Sequence, residues 1–217
     1  GEKLWITNGG IADFYTVFAR TDGPEGKVTA FIVEAAWPGV SHGAHEDKMG
    51  IRASCTTTVA FNDVRIPAEN VLGEVGKGFK VAMGILNNGR TGLGGGAVGG
   101  MKALIRRSVA QAQERKQFDR PIGGFQAVHQ RAADAYIQLE AMRLTMQQAA
   151  FLLSQGRPAA TAVSVAKIWA ADGGNHATYA AQHLHGGIGM DNDYPLHRSY
   201  LWTRQIELTL GSAARHL

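Results

Sequence analysis

Near residue 75 the hydrophobic pattern of this chain changes period, so its two parts cannot be built from the same element type. Before that point, Leu4–Thr7, Phe14–Ala19, Val28–Glu34 and Thr56–Phe61 are short β-type runs. Asn8-Gly9-Gly10, Asp22-Gly23-Pro24 and Pro38-Gly39 separate them as turns, and Val64-Arg65-Ile66-Pro67 leads out of the sheet. This spacing predicts a small antiparallel sheet or barrel, incomplete as it stands. From Gly78 onward the period is helical, over about 78–115, 125–155, 159–184 and 195–217. The breaks are Asp119-Arg120-Pro121-Ile122-Gly123-Gly124, Gly156-Arg157-Pro158 and His185-Gly186-Gly187-Ile188-Gly189. Long helices joined by short loops predict an up-down four-helix bundle. The expected class is therefore α+β, with a partial antiparallel β domain over 1–75 and a helical bundle over 76–217.

A hydrophobic share of 45% supports packed cores and argues against wholesale disorder. The net charge of +4, without a dense Lys/Arg run, is too mild for a nucleic-acid binder but suits an anionic small molecule. Cys55 is the single cysteine, so no internal disulfide forms, which fits a reducing, cytoplasmic setting. No apolar run approaches the roughly 20 residues of a membrane span. The chain opens on Gly1 with no signal-like start, as expected of a sequence beginning in mid-domain.

Many of the 28 glycines fall in Gly84–Gly100. Each costs a helix interior about 1 kcal/mol, so this helix must gain close approach of another backbone or a ligand. Gly94, Gly96 and Gly99 match G-x-G-x-x-G, yet no strand precedes them and no βαβ unit surrounds them. They read as small residues at a helix crossing. His42-x-x-His45 and His183-x-His185 lack the partners of a zinc site, so no metal is expected. His183 and His185 flank a glycine loop and suit ligand contact. Trp5-Ile6-Thr7 reads equally as a core Trp with a surface Thr, or as an aromatic wall and hydroxyl beside a flat ligand. Glu114-Arg115-Lys116-Gln117-Phe118 reads as a helix end with basic residues in its last turn, or as a phosphate-binding Arg beside a ring-stacking aromatic.

Six motifs in order carry a resemblance over essentially the whole chain. Gly1-Glu2-Lys3-Leu4-Trp5-Ile6-Thr7-Asn8-Gly9 resembles the flavin-contact strand of acyl-CoA dehydrogenases. Lys48-Met49-Gly50-Ile51-Arg52-Ala53-Ser54 and Val64-Arg65-Ile66-Pro67 follow. Gly76-Lys77-Gly78-Phe79-Lys80-Val81-Ala82-Met83 and Ile85-Leu86-Asn87-Asn88-Gly89-Arg90 look like the very-long-chain branch. Arg115-Lys116-Gln117-Phe118, Phe125-Gln126-Ala127 and His185-Gly186-Gly187-Ile188-Gly189 complete the series. The family has an N-terminal helical domain, a middle β domain and a C-terminal helical domain. The match covers the last domain and part of the middle one.

The resemblance implies FAD, an acyl-CoA substrate and α,β-dehydrogenation: a carboxylate takes the α-proton and the flavin accepts the β-hydride. It implies that Trp5 and Thr7 line the flavin ring. Arg115, Phe118, Gln126, His183, Gly186 and Gly187 would grip the FAD of a neighbouring subunit, and Ser212 would also contact the cofactor. The family usually has Gln where this chain has His183. Asn87 and Arg90 match positions near the thioester. The family's base is commonly a Glu before Gly-Thr/Ser; here that position is Leu210, followed by Gly211-Ser212. Relatives with the base before the helix arginine would place it at Gly89. Glu207, about one turn before Leu210, is then the candidate base, or else a solvated helix Glu paired with Arg204 or another basic residue, while the Leu210 backbone N–H would keep the family's oxyanion contact. Two alternatives accompany this reading: a catalytically silent FAD-binding subunit of a mixed oligomer, and a monooxygenase of the same fold. The resemblance also implies an oligomer, usually a tetramer, and an electron-transfer flavoprotein as acceptor.

Overall fold

In the computed structural model, which describes residues 1–216, the β-type runs pair within a first compact unit, Gly1–Ile85. The strands are β1 (Glu2–Thr7), β2 (Phe14–Arg20), β3 (Val28–Glu34), β4 (Val40–His42), β5 (Thr56–Phe61) and β6 (Val71–Leu72). They form two three-stranded antiparallel sheets, β1-β5-β4 and β2-β3-β6. β2 and β3 run in unbroken register from Phe14↔Glu34 to Arg20↔Val28. Val17, Ala30, Val33 and Val59 are the buried apolar side chains of this unit. The Lys3 Nζ donates to the Phe18 carbonyl at 2.9 Å, linking β1 to β2. The Tyr15 hydroxyl donates to the Gly9 carbonyl at 2.6 Å, and its ring meets Phe61 edge-on. β4 and β6 were not legible as strands. With three and two residues they are too short to show a period, and their pairing partners define them.

The chain returns to β3 before the helices begin. Gly76 N–H donates to Thr29 Oγ1 at 2.9 Å, and Asn70 Nδ2 donates to the Ile32 carbonyl at 3.0 Å. Gly78 opens the first helix against β3: a Cβ there would lie 2.6 Å from the Ala30 amide nitrogen, so only glycine fits.

The second unit begins at Leu86, and its described residues are mainly helical. Its elements are α1 (Gly78–Glu114, which starts in the first unit), a hairpin of β7 (Lys116–Gln117) and β8 (Arg120–Pro121), α2 (Gln126–Ser154), α3 (Ala160–His185) and α4 (Leu196–Leu208). All four helices contribute to one core, including Met101 and Leu104 of α1, Leu139 and Met142 of α2, Ala177 and Ala181 of α3, and Leu196 and Ile206 of α4. Among the described residues no helix is long and apolar enough to cross a membrane.

Glycines set the spacing of this core. A Cβ on Gly100 would lie 2.3 Å from the Trp202 ring, and one on Gly96 would lie 3.5 Å from it. The two glycines, one turn apart, form the seat on which Trp202 rests. Gly94 faces Met146, whereas Gly99 faces open space. The glycine-rich stretch is thus a helix-crossing surface at Gly94, Gly96 and Gly100, and it lies inside α1, not at a strand-to-helix turn. On α3, Gly173 and Gly174 accept Met142 and Thr203 in the same way.

The last helix is shorter than the sequence pattern suggests. The period allowed a helix over 195–217, but α4 ends at Leu208 because Leu210 and Gly211 take φ of 59° and 104°. Left-handed residues end a helix. The carbonyls freed at this end are met by a buried cation. Lys167 of α3 is fully buried, and its Nζ donates to the carbonyls of Ile206 and Glu207 at 2.9 and 3.1 Å. A cation there also complements the negative end of the helix dipole. Burial, followed by the nearby Arg90, pushes the Lys167 pKa below the ordinary lysine value.

Gly100→Val should lower unfolding free energy by about 1–3 kcal/mol, because Trp202 must leave its seat. Gly99→Ala, in open space on the same helix, should raise it by about 0.5–1 kcal/mol. Urea unfolding followed by Trp fluorescence measures both. Equal effects at the two positions would contradict the helix-crossing assignment.

Candidate active site

Four features bear on function, and three of them contain an apolar residue in left-handed backbone. The first is in β1. The pairing with β5 passes from Lys3↔Val59 to Ile6↔Thr57, so β1 holds one extra residue. This bulge puts Trp5 at φ 52° and leaves its side chain 72% exposed. Bulges re-aim side chains, and a left-handed bulky residue costs on the order of 1–3 kcal/mol. Thr7, at the end of the strand, is exposed and lines a cavity of about 420 Å³ with Lys3, Ile6, Phe14, Tyr15 and Phe61.

The second is the hairpin after α1. Gln117 pairs with Arg120, and the two residues between, Phe118 and Asp119, take φ of 53° and 60°. This is the mirror-image two-residue turn that normally selects Asn-Gly. Phe118 is 87% exposed, standing edge-on to Phe125 at 6.1 Å, while the Arg120 guanidinium lies 4.0 Å over the Phe125 ring. Arg115 and Gln126 flank this turn and are both exposed. The helix ends at Glu114, so Arg115 and Lys116 lie beyond its last turn and belong to the approach to the hairpin. Sequence reading placed this run at a helix end; the hairpin escaped notice because each of its strands has only two residues.

The third is the loop after α3. Gly186 takes φ 63° and ψ −138°, and a Cβ on Gly186 or Gly187 would meet nothing within 4 Å. The loop therefore presents bare backbone to its surroundings. His183 is exposed beside it. Gln182, not singled out in the sequence, and His185, expected to suit ligand contact, are instead engaged within the protein. Gln182 Nε2 donates to the Gly189 carbonyl at 2.8 Å and holds the loop. His185 is buried, donates from Nδ1 to the Ala181 carbonyl at 2.7 Å, and leaves Nε2 unpartnered.

The fourth feature is a cavity of about 650 Å³ at the end of α4, lined by Leu86, Arg90, Leu208, Leu210, Gly211, Ser212, Arg215 and His216. Leu210, at φ 59°, points a methyl group toward α1, 3.1 Å from where a Cβ of Gly89 would stand. Leu210 and Gly89, the two positions where the sequence resemblance leads one to expect a base, thus face one another, and neither bears a carboxylate. The Leu210 carbonyl accepts from Arg90 Nε at 3.1 Å and from His216 Nε2 at 3.3 Å. His216 Nδ1 in turn accepts from Ser164 Oγ at 3.3 Å. The Leu210 N–H has no partner among the described residues.

Of the remaining candidates, Glu207 has its carboxylate bound by Arg204 and its side chain 20% exposed; it does not line the cavity. Because α4 stops at Leu208, Leu210 does not share a helix face with Glu207, and the one-turn spacing expected between them does not apply. Asn87 is half-buried and also outside the lining, although its carbonyl accepts from Thr91 Oγ1 at 3.0 Å. Among the described residues no group of three or more His, Cys, Asp or Glu is placed to hold a metal ion.

Burial pushes the His216 pKa below the ordinary imidazole value of 6.5; Arg90 and Lys167 add to this, and the bond to Leu210 opposes it. The unfolded state then binds the proton more readily than the folded state. The contribution of His216 to stability should be whole above pH 6.5 and decline as pH falls through the lower, folded-state value. Thermal unfolding from pH 8 to pH 5 on the protein and on His216→Gln tests this; the variant should show a shallower decline, and parallel curves would refute the linkage.

The sequence profile described as "Acyl-CoA dehydrogenase, C-terminal domain" matches residues 76–217, and "Acyl-CoA dehydrogenase, middle domain" matches residues 1–64. The short-chain specific acyl-CoA dehydrogenase of Megasphaera elsdenii is 42% identical over 225 aligned residues, covering 99% of this chain and 59% of that protein. The very long-chain specific mitochondrial enzyme of Rattus norvegicus is 41% identical over 87% of this chain and 30% of its own length. The structure of butyryl-CoA dehydrogenase from Megasphaera elsdenii superposes with a TM-score of 0.94 at 39% identity, over all of this chain and 57% of that one. PigA, solved with FAD and proline, superposes at 0.96 with 28% identity, over all of this chain and 57% of its own. The chain spans less than two thirds of the length of each of these proteins. With both profiles matched in order and the first covering well over half of the sequence, the chain belongs to the FAD-dependent acyl-CoA dehydrogenase family.

Proposed function

We propose that this protein is an acyl-CoA dehydrogenase-like oxidoreductase that binds FAD and holds an acyl-CoA thioester at the Leu210 cavity for α,β-dehydrogenation. The observation that supports it best is the coincidence of strain with expected role. Among the described residues, four apolar ones take left-handed φ: Trp5, Ile51, Phe118 and Leu210. Three of them stand where the family resemblance puts the flavin ring, the adenine side of FAD and the base. Strain of this kind persists where function over-determines the backbone.

The residues present fit FAD. Trp5 offers an exposed aromatic face and Thr7 a hydroxyl. Arg115 offers an exposed guanidinium for the pyrophosphate, Phe118 an exposed ring, Gln126 an amide, and Gly186-Gly187 open backbone, with His183 beside them. FAD, when bound, supplies the acceptor for the β-hydride. The second group of residues serves the FAD of a neighbouring subunit in this reading, so the protein works as an oligomer. An exposed stripe on α2 of Ile137, Leu144 and Phe151, spaced by seven residues, is a suitable surface for such contact. An electron-transfer flavoprotein is the proposed acceptor of the electrons.

The unpartnered Leu210 N–H polarises the thioester carbonyl, a contact worth about 3–4 kcal/mol in the transition state. Ser212 lies on the same cavity wall. Proton removal is the open step for this chain. Glu207 becomes the base only by leaving Arg204 and turning past the helix end. The Arg204 pair, and the absence of a carboxylate among the described cavity-lining residues, favour a second reading: an FAD-binding subunit whose partner chain supplies the carboxylate.

Anaerobic bleaching of the flavin band by acyl-CoA thioesters, on the full natural protein purified alone, separates the two. Bleaching that Glu207→Gln reduces at least about 100-fold would support the first reading. A yellow protein that stays oxidised, but bleaches once Leu210→Glu is introduced, would support the second. A protein that retains no flavin would overturn both. Arg115→Ala should lower FAD affinity about 10- to 100-fold without unfolding the helices; unchanged affinity would remove Arg115 from the site.

A further inference from the structure

The Leu210 cavity is built for an anion as well as for a thioester. Arg90 is fixed by its Nε bond to the Leu210 carbonyl, and its two terminal nitrogens find no acceptor among the described residues. Arg215 sits on the single turn Ala213–Arg215, lines the same cavity and is exposed. His216 lines it too, with its Nε2 proton on the same Leu210 carbonyl. Lys167 lies close enough for Arg90 to affect its protonation, but its own donors are used on the end of α4. Among the described residues no carboxylate lines this wall, and that of Glu207 is turned to Arg204. Two guanidinium groups thus line one cavity with no carboxylate beside them among the described residues, and a surface of one sign of charge attracts an anion.

The walls indicate which anion. Leu86, Leu208 and Leu210 supply an apolar lining beside the cations, which suits a short methylene chain ending in a carboxylate better than a strongly hydrated phosphate. The planar guanidinium fork also matches a carboxylate with two parallel hydrogen bonds. Arg90 is held on the residue whose N–H receives the thioester carbonyl in the functional reading above, so a group on Arg90 belongs to the acyl part of the ligand and lies close to its thioester carbon. We propose that this cavity binds the free carboxylate of a short dicarboxylic acyl thioester on the Arg90 and Arg215 guanidinium groups. The inference rests on the thioester reading and narrows its substrate class. It also gives a reason for an apolar Leu210: a carboxylate side chain at that position would take the arginines for itself and repel the ligand.

Calorimetric titration of the FAD-loaded full-length protein, under anaerobic conditions, tests this with three probes: butyryl-CoA, succinyl-CoA and free coenzyme A. The first two differ only by a terminal methyl against a carboxylate. Succinyl-CoA should bind about 10- to 100-fold more tightly than butyryl-CoA, as expected for charge-assisted hydrogen bonds. Arg215→Gln, a change on an exposed turn, should bring that ratio to within about threefold. A ratio near one in the unaltered protein would overturn the carboxylate site and leave the thioester reading standing. Free coenzyme A binding as tightly as succinyl-CoA would mean that the arginines hold a nucleotide phosphate, which also overturns the inference. Failure of every thioester to bind would overturn the inference and the functional reading together.

Discussion

The end of α4 is the constraint on which the arrangement of the helical unit depends. A helix that stops inside a protein leaves carbonyls without partners, and burying them unpaired is costly. Here Lys167 of α3 meets two of them, and Arg90 of α1 meets the Leu210 carbonyl just beyond. Three helices are thereby fixed around one turn of backbone. The same bonds leave the Leu210 N–H unpaired and set Leu210 against Gly89, so the cap and the candidate site are one construction. The Lys167 ammonium is desolvated in doing this, and only good geometry to both carbonyls offsets that cost.

Strain has a similar logic in the other candidate regions. Trp5 gains exposure because β1 holds one residue more than β5 can pair, and Phe118 because a two-residue turn was given to Phe-Asp instead of Asn-Gly. Neither side chain is needed by the core of its own unit; both are among the most exposed large apolar groups of the chain. Glycine supplies the complementary device. At Gly96 and Gly100 it admits Trp202 to the helix surface, and at Gly186 and Gly187 it leaves backbone open to the outside. Equal freedom at the backbone serves packing in one place and ligand approach in the other, and only the surroundings distinguish them.

Much of the fold was legible in the residues. The change of period near residue 75 separates sheet from helices, and the helix boundaries for α1, α2 and α3 fall within one residue of those read from turn and proline signals. The short strands β4, β6, β7 and β8 were not legible, because two or three residues carry no period and are strands only through a partner. The end of α4 was misread for a related reason. Leu210 is a good helix former, and its left-handed φ follows from the bonds its carbonyl makes to Arg90 and His216, which no local pattern displays.

The sequence by itself determined the family, the α+β order of elements and the residue types at the expected flavin and base positions, since these depend on local order along the chain. It also led to the expectation that Leu210 and Gly89 stand where a carboxylate base is usual. Only the tertiary structure decided that Gly89 and Leu210 meet, that Glu207 stands outside the cavity, and that Arg90, Arg215 and His216 line it together. Gly89 and Leu210, like Arg90 and Arg215, are more than a hundred positions apart. Packing and the satisfaction of buried backbone groups bring them together, and neither leaves a signature in spacing.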